Sequence, residues 1–356
     1  MSATLTGCDT PLAEAYDVAL LDLDGVCYRG AERIPHAAEA VAAARGAGMR
    51  MSFVTNNAAR PPSTVAEQLR SLDIPAEEAE VVTSAQAAAG ILAAELPPGS
   101  AVLAVGGPGL RAALEAAGLR AVTSAEDEPV AVAQGFARDV GWEQLSEATY
   151  AIRAGARYVA TNLDATLPTE RGFAVGNGSL VAAVRNATGV EPVSAGKPQA
   201  GIFDHATERS GARRPLVVGD RLDTDIAGAR AAGLPSLHVL TGVNDARDVL
   251  LAAPEERPSY LSTDLRGLHE PHPVPEPVAD GWWQCAGAAA RVHDEGGDRR
   301  LQLREEDGVR DLDPTGTARL TEDAWRAAAA AAWAVADEGA PLDPSACPPI
   351  EILPAR

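Results

Sequence analysis

The chain has 356 residues and a formal charge of −20, from 30 basic and 50 acidic side chains. That length suits two or three domains, and the acidic balance argues against nucleic acid as a partner, because a phosphate backbone needs a basic face. No window approaches 18 uninterrupted apolar residues and no basic stretch leads into an apolar run, so neither a membrane span nor a secretory signal is expected.

Residues 16–23 read as a short buried strand ending in acid and glycine. A helix is predicted over Pro35–Ala47, stopped by Gly48, then a second buried strand over Met49–Thr55 and a helix from about Pro62. Strands alternating with helices imply a parallel sheet, whose ligands gather at the carboxyl ends of the strands. The same rhythm returns later, with a strand over 215–219, a helix over Thr224–Ala232 and a strand over Ser236–Leu240. Between these blocks lies a module of about a hundred residues with its own pattern. It has strands at Ala101–Val105 and Tyr158–Ala160 and helices at Leu110–Ala117 and Ser179–Thr188. Beyond a proline-rich link, Pro271 to Pro277, strands are predicted over Trp282–Val292 and Arg300–Arg304. Thr321 is placed to cap a long Ala-rich helix ending at Gly339, with Glu322 and Asp323 in its first turn. That helix packs on the rest of the protein or forms a homodimer; the sequence leaves both open.

Four short segments carry chemistry. In Asp22-Leu23-Asp24-Gly25-Val26, strand alternation puts two carboxylates on one side, and glycine lets the chain turn tightly. Close carboxylates repel, so keeping both ionised requires a nearby cation; the plain alternative is a solvated acidic turn. Val217-Val218-Gly219-Asp220 is a second strand running into acid, followed by Asp223, Thr224 and Asp225 where a helix cap is also plausible. Carboxylates from two strands make a hard oxygen site suited to Mg²⁺. Phe53-Val54-Thr55-Asn56-Asn57 sets a hydroxyl and two amides at a strand end, a neutral cradle for phosphate oxygens or an ordinary turn. Gly196-Lys197-Pro198 holds the one lysine of the chain, the other 29 basic residues being arginine. A compact ammonium surviving that bias suggests a task a planar guanidinium cannot perform; the plain alternatives are chance and an exposed loop cation.

In this order, Asp22/Asp24, Thr55, Lys197 and Gly219-Asp220 through Thr224-Asp225 resemble the four motifs of the haloacid-dehalogenase-type phosphohydrolases. The module between the second and third motifs is similar to the large α/β cap of their NagD-like, nitrophenyl-phosphatase-like branch. The likeness covers roughly residues 15–268 and implies a doubly wound α/β core with a parallel sheet, an inserted α/β cap and a small C-terminal α+β domain. The limits expected are 1–82 with 192–270 for the core, 83–191 for the cap and 275–356 for the C-terminal domain.

The resemblance implies that Asp22 attacks phosphorus and becomes an aspartyl phosphate, while Asp24 protonates the leaving alkoxide and then activates water. It places Mg²⁺ on Asp22, the Asp24 backbone carbonyl and Asp220, supported by Asp225, and gives the phosphoryl oxygens to Thr55, Asn56 and Lys197. The run Ala160 to Thr169 looks like the cap loop over the leaving group, with Asn162, Asp164 and Leu167 as candidate specificity residues. Leu167, together with the C-terminal addition, makes the layout similar to actinobacterial glycerol-3-phosphate phosphatases. The implied substrate is a small phosphorylated metabolite, glycerol 3-phosphate, ahead of phosphoglycolate, pyridoxal 5′-phosphate and nucleoside monophosphates. Four scattered cysteines suit a reduced, cytoplasmic protein. A receiver-type signalling domain fits less well, because it keeps its acidic pair adjacent and carries no cap. Val105-Gly106-Gly107-Pro108-Gly109 lacks dinucleotide-binding spacing and reads as a structural turn.

Overall fold

The computed structural model describes residues 4–169, 171–296, 298–305 and 308–353, which form two compact units. The first comprises the chain up to Arg29, Arg33–Met51 and everything from Arg213 onward; the second comprises Gly30–Glu32 and Ser52–Ala212.

The first unit is built on parallel strands in the order Tyr260–Ser262, Ser236–Val239, Pro215–Gly219 and Val18–Leu21. Leu21 lies beside Val218, Gly219 beside His238, and Val239 beside Ser262. Every residue of these four strands is buried. Parallel strands covered on both faces read as continuous apolar runs rather than alternating ones, which is why they stand out in the sequence. The polar residues following the first two of these strands in the chain, Asp22 and Asp220, therefore emerge at carboxyl ends. Where a single helix from Thr224 was expected, the chain makes a widened π-turn, Leu222–Ile226, before a short α-helix, Ala227–Ala231. The amides of Asp225 and Ile226 both donate to Arg221 O, at 3.0 and 3.1 Å, so the turn opens around that carbonyl.

The segment after the proline-rich link belongs to this unit. It forms an antiparallel sheet, Glu276–Pro277, Trp283–Cys285, Ala288–Glu295, Asp298–Glu305 and Gly308–Asp311, in chain order. The single strand expected over Trp282–Val292 is broken by a hairpin: Cys285 pairs with Ala288 across Ala286, whose φ of 47° turns the chain back, and Gly287. Thr321 caps the helix Glu322–Asp337, its hydroxyl accepting the Ala324 amide at 3.2 Å. The helix is not a free face. Trp325 and Trp333 are buried, and their indole N–H groups donate to Ala246 O at 3.0 Å and Val249 O at 2.8 Å. Its alanines pack in one apolar cluster with Leu222, Ile226, Val249 and Leu250 on one side and Leu301, Leu303 and Leu320 on the other. Small side chains permit that close approach, and the two indoles are buried in the same cluster. The pair Trp282-Trp283 is likewise internal: Trp282 is stacked against the guanidinium groups of Arg291 and Arg304, each 4.7 Å from its ring centroid.

In the second unit the end of the strand Arg50–Thr55 places Phe53, Val54 and Thr55 beside Val81, Val82 and Thr83. A five-stranded parallel sheet follows, in the order Val193–Ser194, Arg157–Ala160, Ala131–Gln134, Ala101–Val105, Arg120–Val122. Its apolar face packs beneath the helices Trp142–Arg153 and Asn177–Thr188. The glycines after Val105 are structural. A Cβ on Gly107 or Gly109 would run into the Ala59–Arg60 backbone, and Gly109 N–H donates to Ala59 O at 3.0 Å.

Candidate active site

Two constellations carry the sequence candidates, one in each unit. In the first unit, oxygens of Asp22, Asp220 and Asp225 lie within 4.8 Å of one another, and Asp220 and Asp225 are almost wholly buried. Asp22 leaves the sheet still paired, its amide donating to Val218 O at 2.9 Å. Asp225 curls back so that its Oδ2 accepts the Arg221 amide at 3.1 Å. Asp223, the other candidate on that turn, points away into an exposed pair with Arg221 at 2.8 Å. Asp24 contributes no carboxylate to the trio and its residue is exposed; its turn is closed by Gly25 N–H donating to Tyr28 O at 2.7 Å.

Glycine makes this density of carboxylates sterically feasible. A Cβ on Gly219 would overlap Asp225, and one on Gly25 or Gly242 would overlap Asp220; Gly25 also has φ near +95°. Three buried or half-buried carboxylates so close would repel strongly without a cation among them. Hard oxygen donors are the chemistry that Mg²⁺ prefers, so the residues present fit a divalent metal.

The loop after the strand Ser236–Val239 completes the cradle, and sequence reasoning missed it. Val243 N–H donates to Asp220 Oδ2 at 2.7 Å, and Asn244 N–H reaches Asp220 O at 3.3 Å. Asn244 Oδ1 accepts the Leu222 amide at 2.9 Å, and Thr241 Oγ1 donates to Gly25 O at 2.5 Å. His238 is wholly buried; burial pushes its imidazole down to about 4, so the neutral ring donates from Nε2 to Asp220 O at 3.2 Å. Cys27, beside Asp22 and fully buried, has its thiol pushed far up by burial and stays unreactive. Gly242→Ala is expected to displace Asp220. The outcome is a roughly tenfold weaker Mg²⁺ dependence, about 1.4 kcal/mol, read from thermal unfolding against Mg²⁺ concentration.

In the second unit, Thr55, Asn56 and Lys197 come together with the loop that carries Asn162 and Asp164. Thr55 Oγ1 accepts the Asn57 amide at 3.1 Å, holding its hydroxyl at the strand end. Lys197 is 3% exposed, and its Nζ donates to Val54 O at 3.3 Å. The Asn56 side chain is spent on Lys197 and Asp164, so a backbone N–H is what this residue offers an anion. Asn162 is buried and donates to Asn56 O at 2.7 Å, while its own Oδ1 accepts the Asp164 amide at 3.2 Å. Leu167 is half-buried in the hairpin Thr166–Thr169 with Gly172–Val175, opposite Ala174. Asn177, the first residue of the helix Asn177–Thr188, is buried and donates to Asn162 O at 2.8 Å.

A family profile described as haloacid dehalogenase-like hydrolase matches residues 19–120, and a second, HAD-hydrolase-like, matches 194–268. The chain belongs to the haloacid dehalogenase-like hydrolases and is an enzyme. It is similar to D-glycerol 3-phosphate phosphatase of Mycobacterium tuberculosis, 49% identical over 283 residues, 78% of each chain. It is 38% identical to acid sugar phosphatase of Staphylococcus epidermidis over 70% of this chain and 95% of that one. A crystal structure of the M. tuberculosis glycerol phosphate phosphatase in complex with magnesium matches with a TM-score of 0.80 and 42% identity, covering 97% of this chain and 96% of that one.

Proposed function

We propose that the enzyme is a Mg²⁺-dependent phosphomonoester hydrolase that releases glycerol and phosphate from glycerol 3-phosphate. The observation that carries the chemistry is the trio of Asp22 and Asp220, at the carboxyl ends of parallel strands, with Asp225 on the turn that follows. The 49% identity to a D-glycerol 3-phosphate phosphatase supports the choice of ester.

Asp22 attacks phosphorus and the ester oxygen departs with its bonding electrons, taking a proton from Asp24 to leave as the alcohol. Asp24, now a carboxylate, removes a proton from water as the water attacks the aspartyl phosphate, which returns Asp22 and frees inorganic phosphate. Asp24 is exposed, as a group that must reach both an alkoxide and a water should be. Thr55, the Asn56 backbone and Lys197 hold the phosphoryl oxygens while charge redistributes. Mg²⁺, when bound by Asp22, the Asp24 carbonyl and Asp220 with Asp225 behind them, offsets the carboxylates and the phosphoryl charge. The segment 83–191 acts as a cap, and its loop meets the leaving group through Leu167, the side chain that selects a small polyol, while Asn162 and Asp164 of the same loop bond to Asn56. The cysteines Cys8, Cys27, Cys285 and Cys347 are all unbridged, which supports a cytoplasmic location. A homodimer would have to use a surface other than the apolar face of the Thr321-capped helix, which is internal.

The test is phosphate release from a panel of esters, with and without Mg²⁺: glycerol 3-phosphate, phosphoglycolate, pyridoxal 5′-phosphate, nucleoside monophosphates and 4-nitrophenyl phosphate. Mg²⁺-dependent turnover with glycerol 3-phosphate the best ester is the expected result. A different best ester keeps the reaction and discards the reading of Leu167; no turnover on any ester by folded protein rejects hydrolysis.

A further inference from the structure

The backbone of Lys197 is clasped by one side chain. Asn56 Oδ1 accepts the Lys197 amide at 2.8 Å, and Asn56 Nδ2 donates to Lys197 O at 3.1 Å. The second N–H of that Nδ2 is directed to the Asp164 carboxylate, at 3.2 and 3.3 Å to its two oxygens. This arrangement fixes which way the amide faces. Reversed, its carbonyl oxygen would confront both Lys197 O and a carboxylate, and its NH₂ would confront the Lys197 N–H. A bond to an ionised acceptor is stronger than a neutral one, so Asp164 is the group that holds the clasp in its working sense.

Asp164 is itself held from behind. Its amide donates to Asn162 Oδ1 at 3.2 Å, and its carbonyl accepts Gly178 N–H at 2.8 Å. Gly178 has to be glycine, because a Cβ there would overlap Leu163 O. On the other side, a Cβ on Gly196 would lie 2.5 Å from both Asn56 Oδ1 and Thr161 O, so the chain leading into Lys197 has no slack.

We infer that Asp164 is a positioning residue for Lys197, acting through the Asn56 amide, and that it serves capture of the phosphoryl group rather than recognition of the alcohol half of the ester. The inference rests on the proposal that Lys197 holds phosphoryl oxygens. It separates Asp164 from Leu167, its neighbour on the same loop: removing Asp164 affects every phosphate ester alike, whereas changing Leu167 alters the preference among them.

The test compares Asp164→Ala and Asp164→Asn with the parent enzyme on glycerol 3-phosphate and on 4-nitrophenyl phosphate, whose leaving group has no spare hydroxyl. Competitive inhibition by inorganic phosphate is measured alongside. Asp164→Ala is expected to lower kcat/KM roughly tenfold on both esters, the scale of one charge-assisted hydrogen bond, and to weaken phosphate inhibition comparably. Asp164→Asn keeps an acceptor oxygen and recovers most of that loss. Should Asp164→Ala fail to fold, Asp164→Asn carries the same comparison with a smaller loss, equal on the two esters. A loss confined to glycerol 3-phosphate overturns the inference in favour of hydroxyl recognition. Equal losses with phosphate inhibition unchanged also overturn it, leaving Asp164 as a loop staple. A parent enzyme inactive on both esters instead fails the hydrolase reading, and the inference is withdrawn with it.

Discussion

Asp22→Asn is expected to abolish phosphate release, by on the order of 10⁴-fold or more, while making the metal-free protein more stable. The two effects have one cause. Asp22 contributes one of three carboxylates whose oxygens lie within 4.8 Å, with Asp220 and Asp225 buried behind it. At an effective dielectric of about 20, each such repulsion is worth roughly 3 kcal/mol or more when no cation intervenes. Replacing Asp22, the proposed nucleophile, by its neutral isostere removes both the attacking carboxylate and two of the three repulsions. Thermal unfolding should therefore show a higher midpoint for Asp22→Asn than for the parent without Mg²⁺, and a smaller rise on adding Mg²⁺. A metal-free midpoint equal to or below that of the parent would mean that the trio is already compensated by groups of the protein itself. Preserved turnover would remove Asp22 as nucleophile.

The carboxylates and Thr55 share one property that made them legible in the sequence, in that they end or follow buried parallel strands, whereas Lys197 stood out only as the one lysine of the chain. Val18–Leu21 and Pro215–Gly219 are unbroken apolar runs that end in acid, and an acid after a fully buried strand has few places to go but the sheet's carboxyl edge. The loop Thr241–Asn244 follows an equally buried strand, yet it acts through backbone N–H groups and the absence of a Cβ. Backbone donors have no side-chain signature, so a Thr-Gly-Val-Asn turn reads like any other. Asn56 shows the converse case. An amide at a strand end suggested a phosphate contact, but the structure commits that amide to Lys197 and Asp164, which are 141 and 108 residues away in sequence. Partners at such separations cannot be inferred from local spacing.

The same limit applies to the fold. The strand Ala131–Gln134 and the helix Trp142–Arg153 went unread in the inserted unit, because a short Ala/Val run beside a proline carries little periodicity. In the C-terminal segment the long helix was visible through its cap and composition, whereas its burial was not. An alanine-rich helix with two tryptophans could face solvent, a partner or the core. The indole bonds to Ala246 O and Val249 O, and the apolar cluster around its alanines, show that it packs within its own unit.

Lys197→Arg is expected to cost at least about a hundredfold in kcat with a folded protein, and Lys197→Met a similar or larger factor. The chain uses arginine at all 29 of its other basic positions, so arginine is the cation it uses everywhere else. At this position the slot is closed. Lys197 is 3% exposed, its Nζ reaches Val54 O, its backbone is clasped at both ends by Asn56, and Gly196 before it has no room to shift. A guanidinium is wider than an ammonium and carries its donors in a rigid fork, so it cannot put a single positive point where a primary amine does. Overpacking of this kind costs about 1–3 kcal/mol of stability, small enough for the variant to remain folded and be assayed. The two variants fail for different reasons, and inorganic phosphate distinguishes them. Lys197→Met removes the charge and should lose phosphate inhibition almost completely. Lys197→Arg keeps the charge in the wrong place and should retain weakened inhibition alongside its lost turnover. Near-normal kcat in Lys197→Arg would show that charge alone is required there, and the solitary lysine would then be an accident of composition.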